Sequence, residues 1–309
     1  MAVTLAQAAL LSTNQLQRGV IETFVQESPV LDRLPLLEIE GNAYAYNVEA
    51  TLPGVAFRSV NEAYVESTGT VNQRSESLVI LGGDADVDRF IVRTRGNLND
   101  QRAVQTAMKV KAASRKFSDT FINGDVAVDA KGFDGLKKRL VGGQVLDAAT
   151  NGVGPVTGGH DFFDALDALV GAVPGGADVL YANAQIRARI LSAGRRIGGA
   201  DIVREDLTGK RVVTWNGIPV LDPGASPAGT PVIPLTETQG SSTTSSSIYA
   251  VKFGQDEGDQ GVTGLTNGGV QVYDLGEVDD KPAYRTRLEF YCGLAVFGGA
   301  ARLRGVLNS

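Results

Sequence analysis

Among 309 residues there is a single cysteine, Cys292, and a single histidine, His160. One thiol excludes an internal disulfide framework. It lies in the apolar stretch LEFYCGLAVF, where a free Cys is expected as a small buried hydrophobe. One imidazole excludes a His-rich metal site, and with one thiol it nearly excludes a nucleophile–base dyad. His160 opens HDFFDAL, which reads as a helix start, so a capping or surface role is expected. No lysine precedes Lys109. No apolar run approaches the roughly 18 residues needed to span a bilayer. The start, MAVTLAQAALL, lacks the positive region of a secretory signal, so the protein is expected to be made and used in a cytoplasm.

What is present is glycine, 38 residues of it, with only 21% charged and 43% hydrophobic residues. That balance suits a folded chain with many turns and extended arms. The length exceeds the usual single core, so one large or two interleaved domains are expected. Net charge is −6 but uneven. Residues 97–140 hold nine Lys or Arg against five Asp, a local +4. An acidic chain grips free DNA poorly, although it can line a DNA-filled container.

Chemical motifs were tested and fall away. Asp84, Asp86 and Asp88 are spaced like a calcium loop, but Arg89 and Arg95 stand where Gly and a bidentate Glu are needed. In a strand they simply share one water-facing side. Gly209-Lys210 lacks the first Gly and the Ser or Thr of a phosphate loop, having Arg204 and Arg211 there. Gly152, Gly154 and Gly158 have the wrong spacing for a dinucleotide fingerprint. Asp256, Glu257 and Asp259 read as a solvated turn. No catalytic, cofactor or metal constellation survives.

Residues 1–40 read as an amphipathic arm, with Leu16, Val20 and Phe24 in one stripe beside Ile21 and Val25, broken at Pro29. Residues 41–96 contain β-prone AYAYNVEATL, SLVILGG and DVDRFIVRT around a polar stretch, which predicts a long hairpin with a mobile tip. Such a ribbon is marginal in water and its edges invite pairing with another chain. Residues 97–123 are the strongest helix, capped by Asn97 or Asn99. Its core stripe runs Val104, Met108, Ala112, then Ala113, Phe117 and Phe121. HDFFDALDALVGAVPGG predicts a second helix with Phe162, Leu166, Leu169 and Val173 on one face. ADVLYAN predicts a buried strand, and AQIRARILSAGRR a helix capped by Asn183. Together they give an α/β layer on a mixed sheet. Trp215 before Asn-Gly is expected as a packing anchor. TQGSSTTSSS at 238–247 reads as a flexible loop. The remainder is a series of β-prone runs.

Several phrases in order resemble the Hong Kong 97-like major capsid proteins of tailed double-stranded DNA bacteriophages. They are FSDTFINGD with FDGLKKRL, then FFDALDALVGAVPGGADVLYANAQIRARILSAGRR. The closing block is NGIPVLD, SIYAVKFGQDEGDQGVTGL and GGVQVYDLGEVDDKPAYRTRLEFYCGLAVF. The resemblance implies an α+β fold with an N-terminal arm (1–40) and an extended β-hairpin loop over a neighbour (41–96). It also implies a peripheral domain (97–159) with its spine helix (97–123), an axial domain (160–265) and C-terminal strands returning to the peripheral domain (266–309). Hexamers and pentamers of an icosahedral shell around DNA would follow, in a virion assembled in the host cytoplasm, without membrane or cofactor. Portal, decoration and scaffold proteins are implied partners. Because the arm starts near Met1, a scaffold, if one is used, is expected as a separate chain. Phe24, Val25, Tyr64 and Val65 are expected at contacts between subunits. Lys109, Arg115 and Lys116 are expected to face DNA, or equally to pair with acidic neighbours. Some relatives crosslink through a Lys in the extended loop; this chain has none there, so no covalent ladder is expected. The competing reading is an encapsulin-like compartment, which shares the fold but encloses protein cargo.

Overall fold

The computed structural model describes residues 24, 28–95, 101–197, 203–205, 211–255 and 257–309. Leu16, Val20, Ile21 and Val25 of the arm stripe, the caps Asn97 and Asn99, and Asp256 lie outside them.

Pro29 is more than the break expected of it. It sits in the first turn of a helix, α1 (Pro29–Arg33), where its missing N–H costs nothing and the Ser28 hydroxyl accepts from Leu31 N at 3.3 Å. Strand β1 (Leu36–Glu38) follows, then the ribbon strands β2 (Ala43–Thr51) and β3 (Thr70–Ser77), paired from Ala43↔Ser77 to Thr51↔Thr70. Strand β4 (Val79–Asp88) leaves the ribbon. FIVRT, expected as strand, is helical in α2 (Arg89–Arg95), because the Asp88 carboxylate accepts from Phe90 N at 2.7 Å and turns the chain. The spine helix is α3 (Gln101–Asn123), followed by the short α4 (Leu136–Arg139) and β5 (Val145–Asp147).

The next block runs α5 (His160–Gly171), β6 (Val179–Tyr181), α6 (Ala184–Ile197), β7 (Val203–Glu205), β8 (Arg211–Trp215) and β9 (Ile218–Leu221). Asn183 caps α6 as expected, accepting from Gln185 N at 2.9 Å. Asn216 and Gly217 both take positive φ, which makes the tight turn between β8 and β9. Strands β10 (Glu237–Gln239), β11 (Ser242–Val251), β12 (Val262–Glu277), β13 (Ala283–Val296) and β14 (Ala300–Leu307) complete the chain.

Two main sheets result. One has the order β1-β12-β13-β4; the other is eight-stranded and mixed, β5-β14-β11-β6-β9-β8-β7 with β10 on β11. Strand alternation assigns the second sheet's two faces to two cores. Tyr249, Val251, Val179 and Tyr181 face the spine helix and the four-stranded sheet. Ile248, Ala250, Leu180, Ala301 and Leu303 face α5 and α6, where Phe162, Leu166 and Leu169 are buried as expected. Strand β14 therefore does not return with β12 and β13. It lies between β11 and β5 inside the larger sheet, with Ala301 and Leu303 on one face and the ion-paired Arg302 and Arg304 on the other.

Two further expectations are corrected. The Ser-rich run is not a loop: Ser245, Ser246 and Ser247 are buried in β11. Their hydroxyls are satisfied internally, Ser245 donating to Glu237 O at 2.7 Å and Ser246 to Pro234 O at 2.8 Å. The spine stripe is core only in its second half. Val110, Ala113, Phe117, Phe121 and Ile122 are buried, whereas Val104, Met108 and Ala112 are exposed.

Candidate assembly interface

The ribbon has an anchored root and an uncovered tip. At the root, Tyr46 is buried and its ring meets Phe297 edge-on at 4.8 Å, with Tyr44 stacked beside it and Ile39 and Leu265 below. Leu78 N donates to Asn42 O at 2.9 Å where the ribbon joins the body. The Tyr46 hydroxyl donates to Glu76 at 3.2 Å, and Glu76 takes a bidentate pair from Arg139 of α4. Burial and the adjacent Glu76 charge push the Tyr46 hydroxyl above its ordinary pKa. Burial alone would lower the Arg139 pKa, but the Glu76 hydrogen bonds and charge outweigh it and hold that group above its usual value.

Beyond Thr51 and Thr70 the chain makes its own turn. Ser59 N donates to the Glu62 carboxylate at 3.0 Å, and the Arg58 guanidinium lies over the Tyr64 ring at 5.1 Å. Apolar side chains here have nothing among the described residues to cover them. Phe57 is fully exposed, Tyr64 is 70% exposed and Val65 is 86% exposed, with Leu52, Val55 and Val60 alongside. So many large apolar groups on one projection mark a surface that expects a partner. A second exposed set, Phe90, Ile91, Val104, Met108, Tyr273 and Leu275, lies on α2, the N-terminal half of α3 and β12.

Phe24 is not available for such contacts. It is 0% exposed, packed edge-on to Phe290 at 5.6 Å, so it belongs to the subunit's own core. Val25 lies outside the described residues. The three expected DNA-facing cations share the spine helix and meet different neighbours. Lys116 pairs with Asp129 at 3.7 Å, the Lys109 stem lies along Gly83, and Arg115 makes no ion pair among the described residues. His160 is exposed at the start of α5, and Cys292 is buried, its thiol pushed up to about 12 by desolvation. Trp215 stacks on Phe163 at 4.7 Å and donates to Asp167 at 2.7 Å, the anchoring role expected of it.

Two of the three β4 carboxylates are not left to water either. Cross-strand pairing sets Asp84 opposite Arg287 and Asp86 opposite Arg285, each in a two-bond pair of 2.8–3.0 Å. The signal was present as D-A-D against R-T-R, readable only once the strand register is known. Hydrogen bonds from Arg287 hold the Asp84 carboxyl below its ordinary range, and those from Arg285 and Lys281 hold Asp86 lower still. Depressed folded pKa values contribute stability above about pH 4 that is lost as acid protonates them. The Asp84→Asn, Asp86→Asn double variant should show a shallower fall of melting temperature between about pH 4 and pH 2 than the parent chain. Parallel curves would remove the ladder's part in acid stability. Among the described residues no group of His, Cys, Asp or Glu is placed to hold a metal ion, and no helix is long and apolar enough to cross a membrane.

Comparison with known proteins gives the same architecture. No curated protein matches the chain. The encapsulin of Synechococcus elongatus PCC 7942, from its holo-SrpI complex, is similar at 21% identity and TM-score 0.66, over 91% of this chain and 88% of its own. The capsid of a native GTA particle is similar at 15% identity and TM-score 0.62, over 91% and 90%. A chain of Mycobacterium phage Bobi is similar at 13% identity and TM-score 0.56, over 89% of each. Residues 12–159, which include the ribbon and the spine helix, match the family model described as Major capsid protein GP7. The chain, with its ribbon, long helix and two sheets, therefore shares the fold of these capsid and encapsulin chains, and its first half resembles the family of major capsid proteins.

Proposed function

We propose that the chain assembles into hexamers and pentamers of a closed icosahedral shell that encloses double-stranded DNA without reading its sequence, and that it has no enzymatic role. One observation carries the reading: a ribbon pinned at its root by Tyr46 and Glu76 holds a tip whose Phe57, Val60, Tyr64 and Val65 have no cover among the described residues. A two-stranded ribbon of this kind is marginal alone and becomes stable when an adjacent copy buries it. Tip and cover then lie at different places on one subunit, a heterologous contact that closes into rings. Each subunit is expected to bury well over roughly 2,000 Å² against its neighbours.

In this reading residues 41–96 are the extended loop and 97–159 carry the peripheral domain. Residues 160–265 form the axial domain, to which β14 is added. Portal and decoration proteins are further partners, and the virion is the site of action. An overall charge of −6 suits a wall that contains DNA without gripping it.

The fold similarity to the Synechococcus encapsulin favours one alternative, a compartment for protein cargo. Particles purified from the producing cells and treated with nuclease separate the two. Closed shells with protected DNA are expected. Closed shells that hold protein and no nucleic acid would favour the compartment, and a stable monomer would remove both.

A further inference from the structure

The sequence LKKR of α4 places three cations side by side, and the structure sends each to a different part of the molecule. Lys137 pairs with Glu237 of the eight-stranded sheet at 3.1 Å, and Lys138 with Asp125 beyond the spine helix at 3.2 Å. Arg139 takes Glu76 at the ribbon root. This four-residue helix is thus a junction between ribbon, spine and sheet.

We infer that Arg139 is a positioning residue for the ribbon, its guanidinium fixing the direction in which the ribbon leaves the subunit. The inference rests on the reading that the ribbon makes contacts between copies.

The geometry of the fork carries it. Both terminal nitrogens of Arg139 donate to the two Glu76 oxygens, and Nε donates to Asp134 O at 2.6 Å, so the guanidinium is tied to the ribbon on one edge and to the body on the other. The Arg139 and Glu76 side chains are only 10% and 16% exposed, whereas those of Lys137 and Lys138 are about half exposed. Of the three pairs this one is shielded from solvent screening. Apart from the backbone bond between Leu78 and Asn42, the other root contacts, Tyr44 and Tyr46 against Phe297, are mainly ring packing, and apolar burial is non-directional. A planar bidentate pair has a defined direction as well as energy. Strand β3 alone spans about 25 Å, so about 10° of error at its root displaces the tip by roughly 4 Å. An offset of that size takes Phe57 and Val60 out of register with any fixed cover.

Removing only Arg139 strands a buried carboxylate, so the informative variant is the neutral pair Glu76→Gln with Arg139→Met. Hydrogen exchange on dissociated subunits, followed by assembly and electron microscopy, reads the effect. Amides of 43–48 and 71–77 are expected to exchange at least tenfold faster while β11 and β13 keep their protection, and shells should fail to close or vary in diameter. Arg139→Lys, which keeps the charge and loses the fork, should fall between. Shells of parental diameter with parental ribbon protection would overturn the inference. So would an equal loss of protection in β11 and β13, which would mean a general folding role. If the unmodified chain forms no shells, the assembly reading falls, while ribbon exchange still decides the role of Arg139.

Discussion

Replacing Phe290 with alanine is expected to destabilise the subunit by about 3–5 kcal/mol, the usual result of truncating a fully buried Phe. The native chain has about 5–15 kcal/mol in total, so this one change removes a large part of it. Phe290 sits on the inner face of β13, 1% exposed, where three parts of the molecule meet. Its ring is 5.6 Å from Phe24 of the arm and 5.8 Å from Phe117 of the spine helix. Alanine leaves a cavity that cannot collapse, because a helix and a sheet hold its walls apart. Urea unfolding followed by far-ultraviolet circular dichroism and by fluorescence of Trp215 measures the loss. Trp215 reports the other core, against Phe163 on α5. Both signals should shift together, because β6 and β11 give alternate side chains to both cores. A loss below about 1 kcal/mol, the range of a surface substitution, would contradict the central place given to this ring.

How much of this was legible in the sequence depended on whether the signal was local. The stripe of Phe162, Leu166 and Leu169 on α5, with Val173 just past its end, is a local pattern, and all four are buried where the spacing puts them. The ribbon was legible for the opposite reason, since its strands were separated by a stretch that had no way to bury itself. The run at Ser245–Ser247 was misread because composition suggested a loop. What makes it a strand is the set of carbonyls and the Glu237 carboxylate that meet its hydroxyls, all supplied from outside the run. Val104 and Met108 show a further limit. Apolar periodicity says that a face wants cover; it does not say whether the cover is the same chain or another. The Asp84 and Asp86 pairs with Arg287 and Arg285 depend on a register nearly two hundred residues distant. Phe24 went the other way, expected at a contact between subunits when its partner was Phe290 of its own chain.

Substituting Phe57→Asp together with Val60→Asp should abolish shell formation while leaving the subunit folded. Both side chains are fully or almost fully exposed in the subunit and pack on none of its three apolar clusters, so the change costs the isolated chain little. In a shell both would be buried, and losing two such side chains removes about 3–6 kcal/mol from each contact, at about 1.5–3 kcal/mol per residue. That weakens each contact by roughly 10²–10⁴-fold, and every subunit in a ring makes the contact once. Placing a carboxylate where a neighbour's apolar surface should sit adds a desolvation cost in the same direction. Sedimentation velocity reads the result: the parent chain in large particles, the variant as single subunits with an unchanged melting curve. The paired control, Val128→Asp, alters an equally exposed apolar residue on the loop after α3 and should leave assembly intact. Particles of the Phe57, Val60 variant at the parental concentration would mean that the ribbon tip is not what joins one copy to the next.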